Sequence, residues 1–128
     1  MTGTWSTVPI MIDVGTRKKN QPAPPTVVFE ALTEPERPGG RPWLRLLEDE
    51  VQPQVIDSDR PGLVVWSSIW PKRPDVVIRF DLPAGGGGTD LRWTLSAEEP
   101  APDQALLGHL CKRLNQLINA ELRYSFGQ

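Results

Sequence analysis

Cysteine and histidine are almost absent from this 128-residue chain, which has one of each, Cys111 and His109. A single cysteine excludes an intrachain disulfide and any cysteine-cluster metal site. With one histidine beside it, the structural zinc sites that draw on several Cys and His ligands are excluded too. No apolar run approaches the roughly 20 residues a membrane helix needs, so no membrane partner is expected. Residues 1–5 lack the charged and apolar regions of a secretory signal, which makes the cytoplasm the expected compartment.

Clustered positive charge is also missing. Fourteen Lys and Arg stand against 16 Asp and Glu, a net charge of −2, with both signs scattered along the chain. A nucleic-acid partner is therefore not expected, because such binders group their cations to neutralise phosphates. The one basic run, Arg17-Lys18-Lys19, reads as part of a solvated polar loop from Gly15 to Ala23. Gly85 to Gly88 lacks a following Lys-Ser/Thr and precedes a strand, whereas phosphate-binding glycine motifs precede a helix. No cofactor and no metal are expected.

What is present is pattern. Hydrophobic residues at 38% and charged residues at 23% describe a globular protein. The length suits one domain over residues 1–128, able to remove roughly two thirds of its surface from water. Fourteen prolines and eleven glycines fall mainly between the apolar segments, as punctuation.

Thr7 to Val14 alternates and predicts a strand, with Pro9 placing it at an edge or at an irregular start. Pro24 and Pro25 open a short helix whose apolar side is Val28, Phe29, Ala31 and Leu32, and Pro35 stops it. Pro42 to Leu47 predicts a second short helix. Strands are expected at Val51 to Ile56, Leu63 to Trp70, Asp75 to Leu82 and Asp90 to Ala97. Of these, the last two alternate best, with Val76, Ile78, Phe80 and Leu82 on one face and Leu91, Trp93, Leu95 and Ala97 on another. The glycine run between them predicts an antiparallel hairpin. From Asp103 to about Arg123 a long amphipathic helix is expected, with Leu107, Leu110, Cys111, Leu114, Leu117, Ile118 and Leu122 on one stripe. At ~30 Å it is long enough to lie across the whole sheet. The fold class is α+β: a curved antiparallel sheet of five to six strands wrapped around a long C-terminal helix, with two short helices after the first strand.

This order resembles the START-like superfamily, also called SRPBCC or birch-pollen-allergen-like, with the helix-grip fold. Pro25-Thr-Val-Val-Phe-Glu-Ala-Leu-Thr-Glu-Pro35 is similar to the family's proline-led first helix. Val76 to Phe80, followed by Gly88-Thr89-Asp90-Leu91, is similar to its penultimate hairpin. Fewer strands follow the short helices here than the family usually has, which implies a smaller or more open cavity. The resemblance implies a pocket between sheet and helix. Members bind sterols, lipids, polyketides and plant hormones, and some cyclise polyketides or activate a heat-shock ATPase. They share no catalytic motif, so no catalytic residue carries over.

Candidate pocket residues follow from parity and chemistry. Ile78, Phe80, Trp93, Leu114 and Ile118 face the space between sheet and helix, with Val76 beside them. Trp66 and Trp70 share a face with Ser68, on a side that parity leaves open. Trp side chains can wall a pocket, and the ordinary alternative is core packing. Glu121 falls within the apolar stripe, where it anchors a polar ligand atom unless the helix has run past the sheet edge. Arg79 faces outward by parity. His109 maps to the polar side, and Cys111 reads as a small buried hydrophobe. Three readings stay open. The first is noncatalytic binding of a small apolar or amphipathic molecule, and the second is a cyclase-like enzyme. The third is an interaction module with a protein partner or a second copy, favoured by an exposed patch at Trp66, Trp70 and Pro71.

Overall fold

The computed structural model describes residues 10–36 and 43–126. Its sheet is built on the two segments that alternate best. β1 (Met11–Gln21), β2 (Val55–Asp59), β3 (Leu63–Ser67), β4 (Val77–Asp81), β5 (Ala84–Gly85) and β6 (Gly88–Glu98) form one antiparallel sheet. The strand order is β1-β6-β4-β3-β2, with β5 beside β6. Ile78 lies opposite Leu95 and Phe80 opposite Trp93, all essentially fully buried. On the wet face Arg79 lies opposite Thr94 and Asp81 opposite Arg92, as parity predicts. The hairpin tip is Gly86 and Gly87, with φ of 58° and 80°. Two successive positive values make a tight turn that glycine enters without a Cβ penalty.

Three strands depart from expectation. The predicted loop from Gly15 to Ala23 is strand as far as Gln21, paired with β6 along its length past a register shift between Asp13 and Gly15. Arg17, Lys18 and Lys19 are exposed on an outer strand, so polarity there marks a solvated edge and not a loop. Residues 7–9 of the predicted first strand, Pro9 among them, lie outside the described residues. β2 starts at Val55 and all five of its residues are exposed, including Asp57 and Asp59. β3 stops at Ser67, and Ser68 to Trp70 leave the sheet while staying buried.

α1 (Pro25–Thr33) begins at its proline and buries Val28, Phe29, Ala31 and Leu32. The described part of the second predicted helix, Trp43 to Leu47, is not helical. Tertiary contacts override its helical pattern. Trp43 stacks on Trp66 with ring centroids 5.9 Å apart, and its indole N–H donates to the Ala31 carbonyl at 2.9 Å. One short helix, not two, therefore follows the first strand among the described residues.

α2 (Gln104–Gln116) is capped by Asp103, whose carboxylate accepts from the Leu106 N–H at 2.8 Å. The helix continues through a π-helical segment, Leu117–Leu122, and a last turn, Arg123–Ser125. Leu110, Leu114, Leu117, Ile118 and Leu122 are buried, as the stripe predicts. The helix runs alongside β1 instead of straight across the sheet. A Cβ on Gly15 would come within 2.7 Å of Cys111 Sγ, and further along both elements Arg123 donates to the Asn20 carbonyl. Among the described residues no helix is long and apolar enough to cross a membrane.

Candidate functional site

Five of the predicted pocket residues lie together. Ile78, Phe80, Trp93, Leu114 and Ile118 belong to the buried layer between sheet and C-terminal helix. Trp66 joins them, edge-on to Phe80 at 4.8 Å, and gives its N–H to the Leu32 carbonyl. Ser68 is occupied by its own turn: its hydroxyl accepts from the Trp70 N–H at 2.9 Å and donates to the Trp70 carbonyl at 3.2 Å. Glu121 is half-buried and faces Arg45 at 3.6 Å. The exposed Trp66–Trp70–Pro71 patch does not exist as such. Both indoles are buried, because the polypeptide from Trp43 to Glu50 covers one and α2 flanks the other, and Pro71 alone is exposed.

Trp70 stands apart from the rest and walls a groove of about 320 Å³, open on one side. Trp70, Pro71, Leu106 and Leu110 give it apolar walls, and Asp49, Lys72 and His109 stand at its rim. Arg73 also borders the groove, but its guanidinium is committed. It donates to Asp75 at 2.9 and 2.8 Å and to the carbonyls of Glu98 and Pro100. Those bonds hold the Asp75 carboxyl at about 2 even though burial works the other way.

Behind the groove lies a feature that the sequence reading missed. Arg113 is 6% exposed and donates twice to Glu50, at 2.7 and 2.8 Å, and once to the Arg45 carbonyl at 2.6 Å. Burial pushes the Glu50 carboxyl up. The Arg113 bonds, the Leu47 N–H and the Arg113 charge outweigh it and leave the group below its ordinary value. The Trp70 indole also favours the ionised form, although its Nε1 makes no bond of standard geometry. The signal was available: position 113 falls within the apolar stripe, three residues after Leu110. Leu106 and Arg73 carried no such mark.

Further along the same seam the polar inventory is open. Both side-chain polar atoms of Gln21, Nε1 of Trp93 and Oδ1 of Asn119 are buried with no hydrogen-bond partner among the described residues. Burial also pushes the Cys111 thiol up, partly offset by the Arg17 charge, so the group stays a neutral, half-buried hydrophobe. Among the described residues no three His, Cys, Asp or Glu side chains are grouped as a metal would need.

This arrangement of sheet and helix recurs in solved structures. CalU16 from Micromonospora echinospora superposes with a TM-score of 0.58 at 18% identity, over 86% of this chain and 82% of its own. The chain shares its helix-grip fold, an antiparallel sheet packed against a long C-terminal helix. The Aha1 dimer from Colwellia psychrerythraea shares that helix-grip fold, with a TM-score of 0.57 at 12% identity, covering 89% of this chain and 93% of its own. An AHSA1-like protein from Rhizobium etli is 24% identical over 85% of this chain and 81% of its own, with a TM-score of 0.49. At such identities the likeness concerns the helix-grip fold alone. No protein-family model and no curated protein matches the sequence.

Proposed function

We propose that this chain acts as a single noncatalytic domain that binds a small apolar or amphipathic molecule, with the ligand's apolar part in the Trp70 groove. The observation that carries the reading is that groove: about 320 Å³, apolar on its walls and polar at its rim. Its volume sits at the lower end of the ~300–1,000 Å³ range of ligand sites. The buried ionisable side chains among the described residues, Glu50 and Arg113, are bonded to each other, which favours binding over a cyclase-like reaction.

The neutral aromatic probe N-phenyl-1-naphthylamine tests this directly. Its fluorescence should rise on binding, and Leu106→Glu, at a half-buried wall position, should weaken the affinity at least tenfold. An unchanged affinity in that variant sinks the groove assignment, and a wild-type chain that never binds the probe sinks the reading.

A second reading, a protein partner or a second copy, is favoured by one specific observation. Val51, Val55 and Ile56 are 40–54% exposed on β2 and in the stretch just before it. Sedimentation of wild type and Ile56→Lys would separate it, since only an association through β2 is lost in the variant.

A further inference from the structure

Gln21 is fully buried, and neither its Oε1 nor its Nε2 has a partner among the described residues. Its side chain faces inward, because Gln21 pairs across the sheet with Thr89, itself fully buried and donating to the Ala23 carbonyl at 2.8 Å. Across the seam, Asn119 uses its amide N–H on Asn115 and leaves Oδ1 buried and unpartnered. The two residues sit at the same end of the seam. Arg123, one turn beyond Asn119, donates to the carbonyl of Asn20, the residue before Gln21.

The π-helical segment explains how Asn119 comes to be there. An α-helical projection puts position 119 on the polar side, opposite the leucines. The wider turn over Leu117–Leu122 changes that phase, and Asn119 is half-buried with its Oδ1 out of solvent. Native proteins seldom leave such groups unpaired, and each exception calls for a reason. Here three atoms, a donor and two acceptors, sit on the two facing elements, Gln21 next to Asn20 on β1 and Asn119 one turn before Arg123 on the helix, and Arg123 and Asn20 are themselves hydrogen-bonded.

We propose that this end of the grip is a binding site for a neutral group that both donates and accepts hydrogen bonds, such as a primary amide or an alcohol. The inventory sets the preference. Gln21 Nε2 needs an acceptor, while Gln21 Oε1 and Asn119 Oδ1 each need a donor. A primary amide supplies all three. An alcohol supplies its acceptor and one donor. A carboxylate offers no donor to either amide oxygen, and the cation at this end, Arg123, is already engaged by the Asn20 carbonyl. The site lies by Asn119 and Arg123, whereas the Trp70 groove lies by Leu106 and Leu110, so it stands or falls separately from the groove.

Three probes with the same chain test it by calorimetry: hexanamide, 1-hexanol and sodium hexanoate. Wild type should bind hexanamide at least tenfold more tightly than hexanoate, with 1-hexanol between them. Gln21→Met keeps the side chain's length and removes both polar atoms, so hexanamide affinity should fall at least tenfold while the unliganded variant melts at a higher temperature. Asn119→Leu, on the other element, should weaken hexanamide similarly and serves if Gln21→Met does not fold. Equal or tighter binding of hexanoate overturns the proposal, as does amide binding that survives both substitutions. No binding of any probe by wild type overturns it too, whatever the groove does.

Discussion

Arg113 and Gln21 are both polar, both buried and both placed against the seam between the C-terminal helix and the rest of the chain. Arg113 has its guanidinium bonded to a carboxylate and a carbonyl, and it ties the Trp43–Glu50 segment to α2. Gln21 has no partner for either end of its amide. The contrast separates two uses of a buried polar group. The middle of the helix is fastened by matched donors and acceptors, and the seam toward its C-terminal end leaves hydrogen-bonding capacity unmatched among the described residues.

The sharpest way to break the fastened stretch is Arg113→Met. It leaves the Glu50 carboxylate buried without its cation and should cost about 3–5 kcal/mol in urea denaturation. The double variant Glu50→Leu with Arg113→Met should recover most of that loss, since a buried pair replaced as a whole is often nearly neutral. A double variant as unstable as the single one would mean that the pair does more than satisfy itself.

Next in size is Asp75→Asn, which removes the charged partner of Arg73 at the border of the groove. The Asp75 carboxyl is held at about 2 in the fold, below its ordinary value of 3.8. A depressed carboxyl stabilises the fold above its unfolded value and loses that contribution as the pH falls through its folded one. The difference between wild type and variant should therefore be about 2 kcal/mol at neutral pH and vanish on acidification from about pH 4 to pH 2. A difference that persisted at the acid end would assign the effect to packing.

The open end should respond with the opposite sign. Gln21→Met removes two unsatisfied polar atoms from the interior and should raise stability by about 1 kcal/mol, read from the shift in the urea midpoint. A loss instead would mean that the amide is satisfied in solution, and the contrast between Arg113 and Gln21 would disappear. The smallest effect belongs to Arg79→Ala on the wet face. Its bond to Asp81 is 3.1 Å long but solvent-exposed, so the change should stay below about 1 kcal/mol and shrink further in salt.

Wherever one face of an element is buried and the other wet, its periodicity carried the answer. β4, β6, α1 and the stripe of α2 were legible for that reason, and so was the buried layer of Ile78, Phe80, Trp93, Leu114 and Ile118. β1 beyond Gly15 was not, because an outer strand can carry Arg17, Lys18 and Lys19 in succession without a hydrophobic face to announce it. The stretch from Trp43 was misread as helical because contacts distant in sequence, to Trp66 and Ala31, decide its conformation. Of the residues lining the groove, Trp70 was named beforehand only as a candidate for a pocket elsewhere, and its companions Leu106 and Pro71 meet it only through the tertiary fold. The buried Oδ1 of Asn119 was not legible, because helical projection assumes a constant turn and the π-helical segment changes it.

The two outer strands of the described sheet carry opposite charge: Arg17, Lys18 and Lys19 on β1, Asp57 and Asp59 on β2. Two copies that approach through the same edge repel, which discourages the symmetric pairing by which sheets most readily close into dimers. Unlike edges attract, and that contact is head-to-tail, so each copy added presents a fresh edge to the next. Concentrated protein at low ionic strength should accordingly grow open chains whose length is not fixed, and moderate salt should disperse them.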